Sequence, residues 1–488
     1  MAGTPTEAPP SGGLLPPGWR APLVVALLLR ALMLVPSIGL EFRGDEPAYR
    51  ALAASWAEFG AYAGQWPPLH PATIALCDRV FGSGGEAAAR VLLTLLSVWS
   101  CAWTMALAKR AHSDAAGRIA GWIAALYLPL VPFAHVLLSE GLTIALLLPA
   151  LTALLAVAQG ELRDGRATLG IVAAGALVGL SCLARESGTF WVAALAVWCA
   201  FALRSERGPA VRRAMLFTSA ALVTIAPWSA AATRSMGMLQ VLGRTAGVNA
   251  YMGWNAKYVN FDAVALDVPV EAVPGARLRA TLLEPPDGVE AWEYQFLPHL
   301  GERNREMVAA GSAFAREHPA FFARTRLVKA ADLATPLSFM TRFLRMPAGE
   351  PNADGVATAG GYGPPLASAV PRIALSAVAI LSVVLLAVAG VVGACLVRLR
   401  PGAASLVAAG FVATAPLALV VAMSRFRAPF EAMVVVAAAA TVATLSGHGP
   451  GWRRTPLARA ACAALLAFLA FAWYLSLPVV VAALRVLA

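Results

Sequence analysis

The sequence has few charged side chains. Asp, Glu, Lys and Arg make up only 13% of the 488 residues, whereas hydrophobic residues make up 59%. Mean hydropathy is +0.69. Soluble globular domains carry about 25% charged residues, so this composition excludes an ordinary soluble domain. The sequence is that of a polytopic membrane protein, and runs long enough to span a bilayer as helices predict an all-α fold.

Signals for several ligands and for processing are also missing. The six histidines show no metal-ligand spacing, and there is no glycine-rich phosphate loop ending in Lys-Ser or Lys-Thr. We therefore expect neither a zinc site nor a nucleotide-driven pump. The sequence shows no required cofactor and leaves dependence on a divalent metal open. Cys77 alone of the six cysteines lies away from the apolar spans, which argues against a disulfide framework. Residues 1–18 lack Lys and Arg and precede no cleavage pattern, which argues against a cleaved signal peptide.

Apolar runs of about 20 residues predict about eleven transmembrane helices. These runs are 21–40, 88–108, 118–136, 141–158, 168–184, 189–203, 214–232, 372–397, 403–423, 428–446 and 460–484. They divide the chain into four parts. A flexible cytoplasmic tail (1–20) is followed by an N-terminal transmembrane catalytic module (21–232), a small external subdomain (233–371) and a C-terminal transmembrane module (372–488).

The basic residues predict how the chain is oriented. The formal charge of +11 lies mostly in short loops between apolar runs, a distribution typical of membrane topology and not of nucleic-acid binding. With the N-terminus inside, the inside loops hold most of the Arg and Lys residues. The outer turns hold chiefly Arg185, Arg425 and Arg427. The loop 41–86, with two expected interfacial helices, and the segment 233–371 then face outward, and Gly349 to Pro365 could form a lid.

Three carboxylates stand at the outer ends of these spans. Asp45 and Glu46 open the first interfacial helix, and Glu140 lies in a tight apolar hairpin within Leu138-Ser139-Glu140. Asp45 also suits a helix N-cap with Glu46 in the first turn, a structural interpretation that stays open beside the catalytic one. Because a charge beside hydrocarbon is costly to desolvate, we interpret Asp45, Glu46 and Glu140 as candidate catalytic residues.

Cations and polar groups on the same side are candidates for substrate binding. Arg425 and Arg427 are the stronger phosphate ligands and Arg185 the weaker, since the guanidinium fork matches phosphate oxygens; lipid-headgroup binding is the alternative. The remaining candidates for substrate binding are Arg43, His70, Asn249, Tyr251, Asn255 and Lys329. For His70 a structural role is the commoner alternative, and for Lys329 a solvated helix face explains the residue equally well.

The order of these motifs resembles that of a known family. It runs Arg-Gly-Asp45-Glu46-Pro-Ala-Tyr, Pro67-Pro68-Leu-His-Pro71, Leu-Ser-Glu140, Pro227-Trp228 with Arg234 and Gly237, Asn249-Ala-Tyr-Met-Gly253-Trp-Asn255, and Arg425-Phe-Arg427-Ala-Pro429. The series resembles the GT-C glycosyltransferases of the dolichyl-phosphate-mannose protein mannosyltransferase family, in the bacterial branch that includes aminoarabinose transferases. Two positions depart from that branch: Trp66 stands where it has a phosphate-binding Lys, and Phe426 where Tyr is usual.

The resemblance implies a GT-C fold, a polyprenyl-phosphate sugar donor and an outward-facing site in the inner membrane. It also implies that Asp45 is the catalytic base and Glu140 a second acidic site residue. The acceptor stays open between a lipid, a protein and an envelope glycan, and so does the sugar. A transporter or lipid flippase is the competing class. Arg30, midway along the first span and without an evident partner, is the main feature in favour of transport.

Overall fold

The protein is an all-α integral membrane protein. The computed structural model describes residues 18–40, 42, 44–59, 66–203, 210–236, 239–242, 249, 253–254, 300–344, 369–420 and 423–487. The helices of the N-terminal part are α1 (Arg20–Leu34), α2 (Glu46–Phe59), α3 (Leu69–Phe81), α4 (Gly85–Ala111), α5 (Asp114–Leu126), α6 (Ser139–Ala158), α7 (Asp164–Ala184), α8 (Gly188–Ala202) and α9 (Ala210–Met236). The later helices are α10 (Leu300–Glu317), α11 (Pro319–Leu333), α12 (Phe339–Phe343), α13 (Ala369–Leu396), α14 (Ala403–Thr414), α15 (Ala428–Leu445) and α16 (Pro456–Leu487).

Among the described residues, eight helices are long and apolar enough to cross a membrane. A ninth span is formed if α5 and the turns at Leu128–Ala134, bent by 61° relative to it, are counted together. Two shorter apolar helices coincide approximately with the predicted runs at 189–203 and 403–423. The expected all-α membrane architecture is therefore confirmed, while the number of eleven spans stays a prediction. Cys77, expected outside the spans, lies buried in α3, because α3 and α4 form one nearly continuous apolar stretch.

Helices α6 and α15 form the centre of the bundle. Both are apolar all round and are buried along most of their length, as expected of helices surrounded by other helices. Around them, α7 packs closely on α9 through Gly175 and Gly179, spaced as in G-x-x-x-G. A Cβ on Gly179 would lie 2.7 Å from the carbonyl oxygen of Ala221, so only glycine allows this approach.

The two ends of α6 differ in the charged residues around them. Its first turn holds Ser139 and Glu140, and just beyond its last residue Glu161 forms an ion pair of 3.1 Å with Arg110. Arg110 lies in the last turn of α4 and belongs to the basic residues expected on the inside. Glu140 and this basic end therefore lie at opposite ends of one span, as the predicted topology requires.

Arg30 has a structural explanation within α1. Its side chain is 1% exposed, and its guanidinium donates to the carbonyl oxygens of Ala124 and Ala125, each at 3.3 Å, and to Ser97 Oγ at 2.7 Å. The two carbonyls belong to the last turn of α5, where a helix leaves its carbonyls without partners. Arg30 thus satisfies the end of a helix that stops inside the apolar bundle. The sequence offered no charged partner for Arg30, because its partners are backbone carbonyls and the hydroxyl of Ser97.

We expect Arg30→Leu to lower the free energy of unfolding by about 2–3 kcal/mol, because it leaves buried carbonyl oxygens without a donor. Denaturant unfolding of the purified protein in detergent measures this effect. Arg20→Leu is the matched control, since Arg20 is exposed at the first residue of the same helix. Equal stabilities of the two variants would contradict this role of Arg30.

Candidate active site

Asp45 lies where helix α2 begins. Its carbonyl oxygen accepts the first helical hydrogen bond, from the backbone N–H of Tyr49 at 3.1 Å, so it occupies the N-cap position expected from the sequence. Its side chain contacts Arg425, with Oδ2 2.6 Å from Nη2. The Asp45 side chain keeps 34% of its surface exposed. The result is a fixed carboxylate that remains accessible to a ligand.

Arg425 contacts residues that come much earlier in the chain. It lies in a short 3-10 turn, Ser424–Arg427, which leads directly into α15. Besides Asp45, its Nε lies 3.7 Å from Oε1 of Glu140. Only 12% of the Arg425 side chain is exposed. The ion pair with Asp45 therefore links residues 380 positions apart, in an environment where water screens the charges little.

Glu140 lies beneath the arginines in the first turn of α6. Its side chain is 1% exposed, and Oε1 is 2.9 Å from Nη1 of Arg185, the residue that follows α7. A helix N-terminus favours a negative charge, and two guanidinium groups add to this. Asp45, Glu140, Arg185 and Arg425 together form what we term the carboxylate–arginine cluster. Four residues predicted from separate motifs are thus brought into contact.

Tyr49 and Ser139 support this cluster. The Tyr49 hydroxyl donates to Ser139 Oγ at 3.1 Å, and the same oxygen accepts from Arg185 Nη1 at 3.2 Å. Burial raises the pKa of Tyr49 well above its ordinary value, so the hydroxyl stays a neutral donor. The Tyr49 ring also packs on Trp66, with ring centroids 4.6 Å apart, and on the edge of His70 at 4.7 Å. His70, predicted to bind substrate, is buried in this aromatic contact.

Tyr49 and Ser139 were not among the candidates from the sequence. Both belong to motifs quoted there, next to Asp45 and Glu140, but neither carries a charge that would mark it. One signal was available for Tyr49. It follows Asp45 by four residues, and side chains at that spacing lie on the same face of a helix.

Glu46 takes a different direction from Asp45. It accepts the backbone N–H of Leu137 at 3.0 Å and lies 3.3 Å from Arg90 Nη1, with both side chains 2% exposed. Arg90 in turn donates to the carbonyl oxygen of His135 at 2.6 Å. These contacts tie α2 to α4 and to the turn before α6. They support a structural role for Glu46 rather than the catalytic one predicted.

Arg427 also differs from its prediction. Its Nε lies 2.7 Å from Glu431, and its Nη atoms donate to the carbonyl oxygens of Leu333, Thr335 and Leu337. These carbonyls end α11 and form the turn that follows it. The guanidinium is thus occupied in holding that turn against α15. The geometry favours Arg185, the weaker candidate, as the partner of Arg425.

Of the remaining predicted ligands, the structure describes Lys329 and Asn249. Lys329 is buried in α11, where burial, opposed by Asp332, lowers its pKa to about 8. Its description as a solvated face is therefore wrong. Asn249 is half-buried. Arg43, Tyr251 and Asn255, like the expected lid from Gly349 to Pro365, lie outside the described residues.

An apolar cavity opens beside the turn that carries both arginines. It holds about 470 Å³ and lies between α11, α13, α14, α15 and α16. Val383, Leu386 and Phe411 are among its lining residues, and the Arg427–Glu431 ion pair forms part of its wall. Its size and lining suit an apolar chain. Within the described ranges no group of three or more His, Cys, Asp or Glu residues is arranged to hold a metal ion.

Comparisons with known proteins give similarity at the level of structure. No protein-family model and no curated protein sequence matches the chain. The apo oligosaccharyltransferase of Archaeoglobus fulgidus is similar with a TM-score of 0.46 at 13% identity, over 96% of this chain and 55% of that one. ArnT from Cupriavidus metallidurans bound to undecaprenyl phosphate has a TM-score of 0.41 at 15% identity, over 87% of this chain and 78% of that one.

A third similar structure is the archaeal oligosaccharyltransferase AglB from Archaeoglobus fulgidus, solved with an inhibitory peptide and a dolichol-phosphate. Its TM-score is 0.43 at 13% identity, again over 96% of this chain and 55% of that one. The chain thus spans about half the length of the oligosaccharyltransferase. Similarity at this level does not assign an activity, so the function has to be inferred from the side chains of the cluster.

Proposed function

We propose that the protein transfers a sugar from a polyprenyl-phosphate donor to an acceptor at the outer face of the inner membrane, with inversion at the anomeric carbon. The observation that carries this proposal is the 2.6 Å contact between Asp45 and Arg425. It places an accessible carboxylate beside a guanidinium at the same end of the bundle. A base for the acceptor and a cation for the leaving phosphate are the two groups that such a transfer needs.

The leaving group explains why these two groups suffice. A sugar joined through phosphate departs with the electron pair of the C1–O bond on a phosphate oxygen, which needs no proton to leave. Glycoside hydrolysis, by contrast, requires an acid as well as a base. Arg185 and Arg425 would stabilise the phosphate charge, and paired guanidinium forks are well matched to its oxygens.

Asp45 would act on the acceptor. As the acceptor oxygen or nitrogen attacks the anomeric carbon, its proton would pass to the Asp45 carboxylate. The new bond forms on the face opposite the departing phosphate, so a single displacement inverts the configuration. Glu140 would hold the two arginines in place from below, and Glu46 would fix the start of α2, so neither needs to touch the substrate.

The apolar cavity gives the lipid part of the donor a place to bind. A polyprenyl chain is apolar along its whole length, so a cavity lined mostly by apolar side chains can hold it without burying an unpaired polar group of the lipid. Arg425 lies two residues before Arg427, which lines the cavity. The phosphate and the chain of one donor would therefore reach adjacent sites. Undecaprenyl phosphate and dolichol-phosphate are bound in two of the similar solved structures.

Several assignments from the sequence remain part of this proposal. Arg43, His70, Asn249, Tyr251, Asn255 and Lys329 are proposed substrate-binding residues. The acceptor is a lipid, a protein or an envelope glycan. Retention of the donor without transfer to any acceptor would instead favour a binding or scaffold protein.

A transfer assay tests the proposal directly. Membranes that contain the protein are incubated with polyprenyl-phosphate donors carrying radiolabelled sugars, and label is followed into lipid, protein and glycan fractions. Membranes without the protein are the control. We expect label in one of these fractions only when the protein is present. Movement of intact donor across vesicle membranes, with no transfer, would favour the flippase.

A further inference from the structure

Phe426 lies against both arginines of the cluster. The guanidinium carbon of Arg185 is 4.8 Å from the centre of its ring, and that of Arg425 is 5.4 Å away. Phe426 belongs to the same 3-10 turn as Arg425, and its backbone N–H donates to the carbonyl oxygen of Met423 at 3.0 Å. Two cations from different helical segments thus share one aromatic ring.

This arrangement answers an electrostatic problem. Arg185 and Arg425 both approach Oε1 of Glu140, at 2.9 and 3.7 Å. Two guanidinium groups this close repel each other, and in a site that is mostly shielded from water the repulsion is strong. The π-electrons of an aromatic ring attract cations within about 6 Å of its centre. Phe426 therefore offers both arginines a negative surface that carries no charge of its own.

We propose that Phe426 is a positioning residue that holds Arg185 and Arg425 as a clamp for phosphate. This inference rests on the proposed function, because the ligand is the phosphate of the lipid-linked donor. Phe426 acts through the arginines and does not need to touch the reacting atoms. Without the ring, both long side chains regain rotamer freedom, which donor binding then has to restrict again.

A purely structural role makes a different prediction. If Phe426 only fills space, leucine replaces it well, and the electron density of the ring is irrelevant. If the ring binds the cations, affinity follows its electron density at constant shape. Phenylalanines with one, two or three ring fluorines separate the two roles, because each fluorine weakens the attraction to a cation and hardly alters the shape.

The experiment measures the dissociation constant of undecaprenyl phosphate for the full chain in lipid nanodiscs. We expect Phe426→Leu to weaken binding about tenfold, and Phe426→Tyr to remain within about twofold of the parent protein. The fluorinated series should weaken binding stepwise, with unchanged thermal unfolding. If Phe426→Leu fails to fold, the fluorinated series still distinguishes packing from attraction between the ring and the two guanidinium groups.

Two results would overturn the inference, and they differ. Equal affinities across the fluorinated series would show that the ring is packing alone, and would leave the proposed function intact. No binding of undecaprenyl phosphate to the parent protein would overturn the proposed function, and the role of Phe426 with it.

Discussion

Asp45→Asn is expected to reduce sugar transfer about a thousandfold and at the same time to tighten the binding of free polyprenyl phosphate several-fold. The loss follows because an amide cannot accept the proton of the acceptor, and general bases contribute between about a hundredfold and ten-thousandfold. The tighter binding follows because in the parent protein the Asp45 carboxylate lies 2.6 Å from Arg425. In the proposed mechanism that carboxylate competes with the phosphate for the same guanidinium.

The two effects have opposite signs, which makes this variant informative. Transfer is measured with radiolabelled donor under single-turnover conditions, and binding with undecaprenyl phosphate alone. Asp78→Asn is the matched control. It removes a carboxylate from another 2.6 Å ion pair, with Arg50, in which the Asp side chain has a similar exposed fraction. Substantial transfer by Asp45→Asn would rule out Asp45 as the base. Loss of both transfer and binding would instead indicate a role in binding.

The membrane architecture could be predicted from the sequence because its causes are local. A continuous apolar run of about 20 residues forms a helix in a bilayer, since a helix satisfies its backbone hydrogen bonds within the one segment. Asp45 was placed correctly at a helix start for a similarly local reason, its residue type before Glu46 and Pro47. The contact between Asp45 and Arg425 has no local cause. It depends on how the start of α2 and the turn before α15 come together in the fold, and 380 residues separate its partners.

The two residues of each predicted pair separate for one geometric reason. Neighbouring residues of a helix diverge by about 100°, so side chains at i and i+1 do not face each other. Asp45 and Glu46 therefore could not both point into one site. In a 3-10 turn residues two apart also diverge, and Arg425 and Arg427 accordingly contact different carboxylates. Treating each pair as one unit ignored this divergence.

Arg185 ranked below Arg425 and Arg427 in the sequence because the residues that it contacts belong to other helical segments. In the sequence it is one arginine at the end of a span, with lipid-headgroup binding as the alternative. The structure adds Glu140 at 2.9 Å, Ser139 at 3.2 Å and the Phe426 ring. Helical spacing within α7 cannot indicate any of these contacts.

Arg425→Gln is expected to impair sugar transfer and Arg427→Gln to impair folding, although the two residues are only two positions apart. For Arg425→Gln we expect kcat/KM for the donor to fall between about a hundredfold and a thousandfold, since it removes a charge that stabilises the leaving phosphate. Its folding should change little, because Glu140 keeps Arg185 as a partner. Donor kinetics and thermal unfolding in detergent are measured on the same preparations.

Arg427→Gln should instead lower the free energy of unfolding by about 3–5 kcal/mol, because it removes the cation that neutralises the buried Glu431. It also removes the donors to the carbonyl oxygens of Leu333, Thr335 and Leu337. The folded fraction should retain most of its donor affinity per molecule. Arg427→Gln/Glu431→Gln is the control, since removing both charges should restore part of the lost stability. If Arg427→Gln folds normally and loses the donor, Arg427 belongs to the phosphate clamp, and the assignment of Arg185 in its place is wrong.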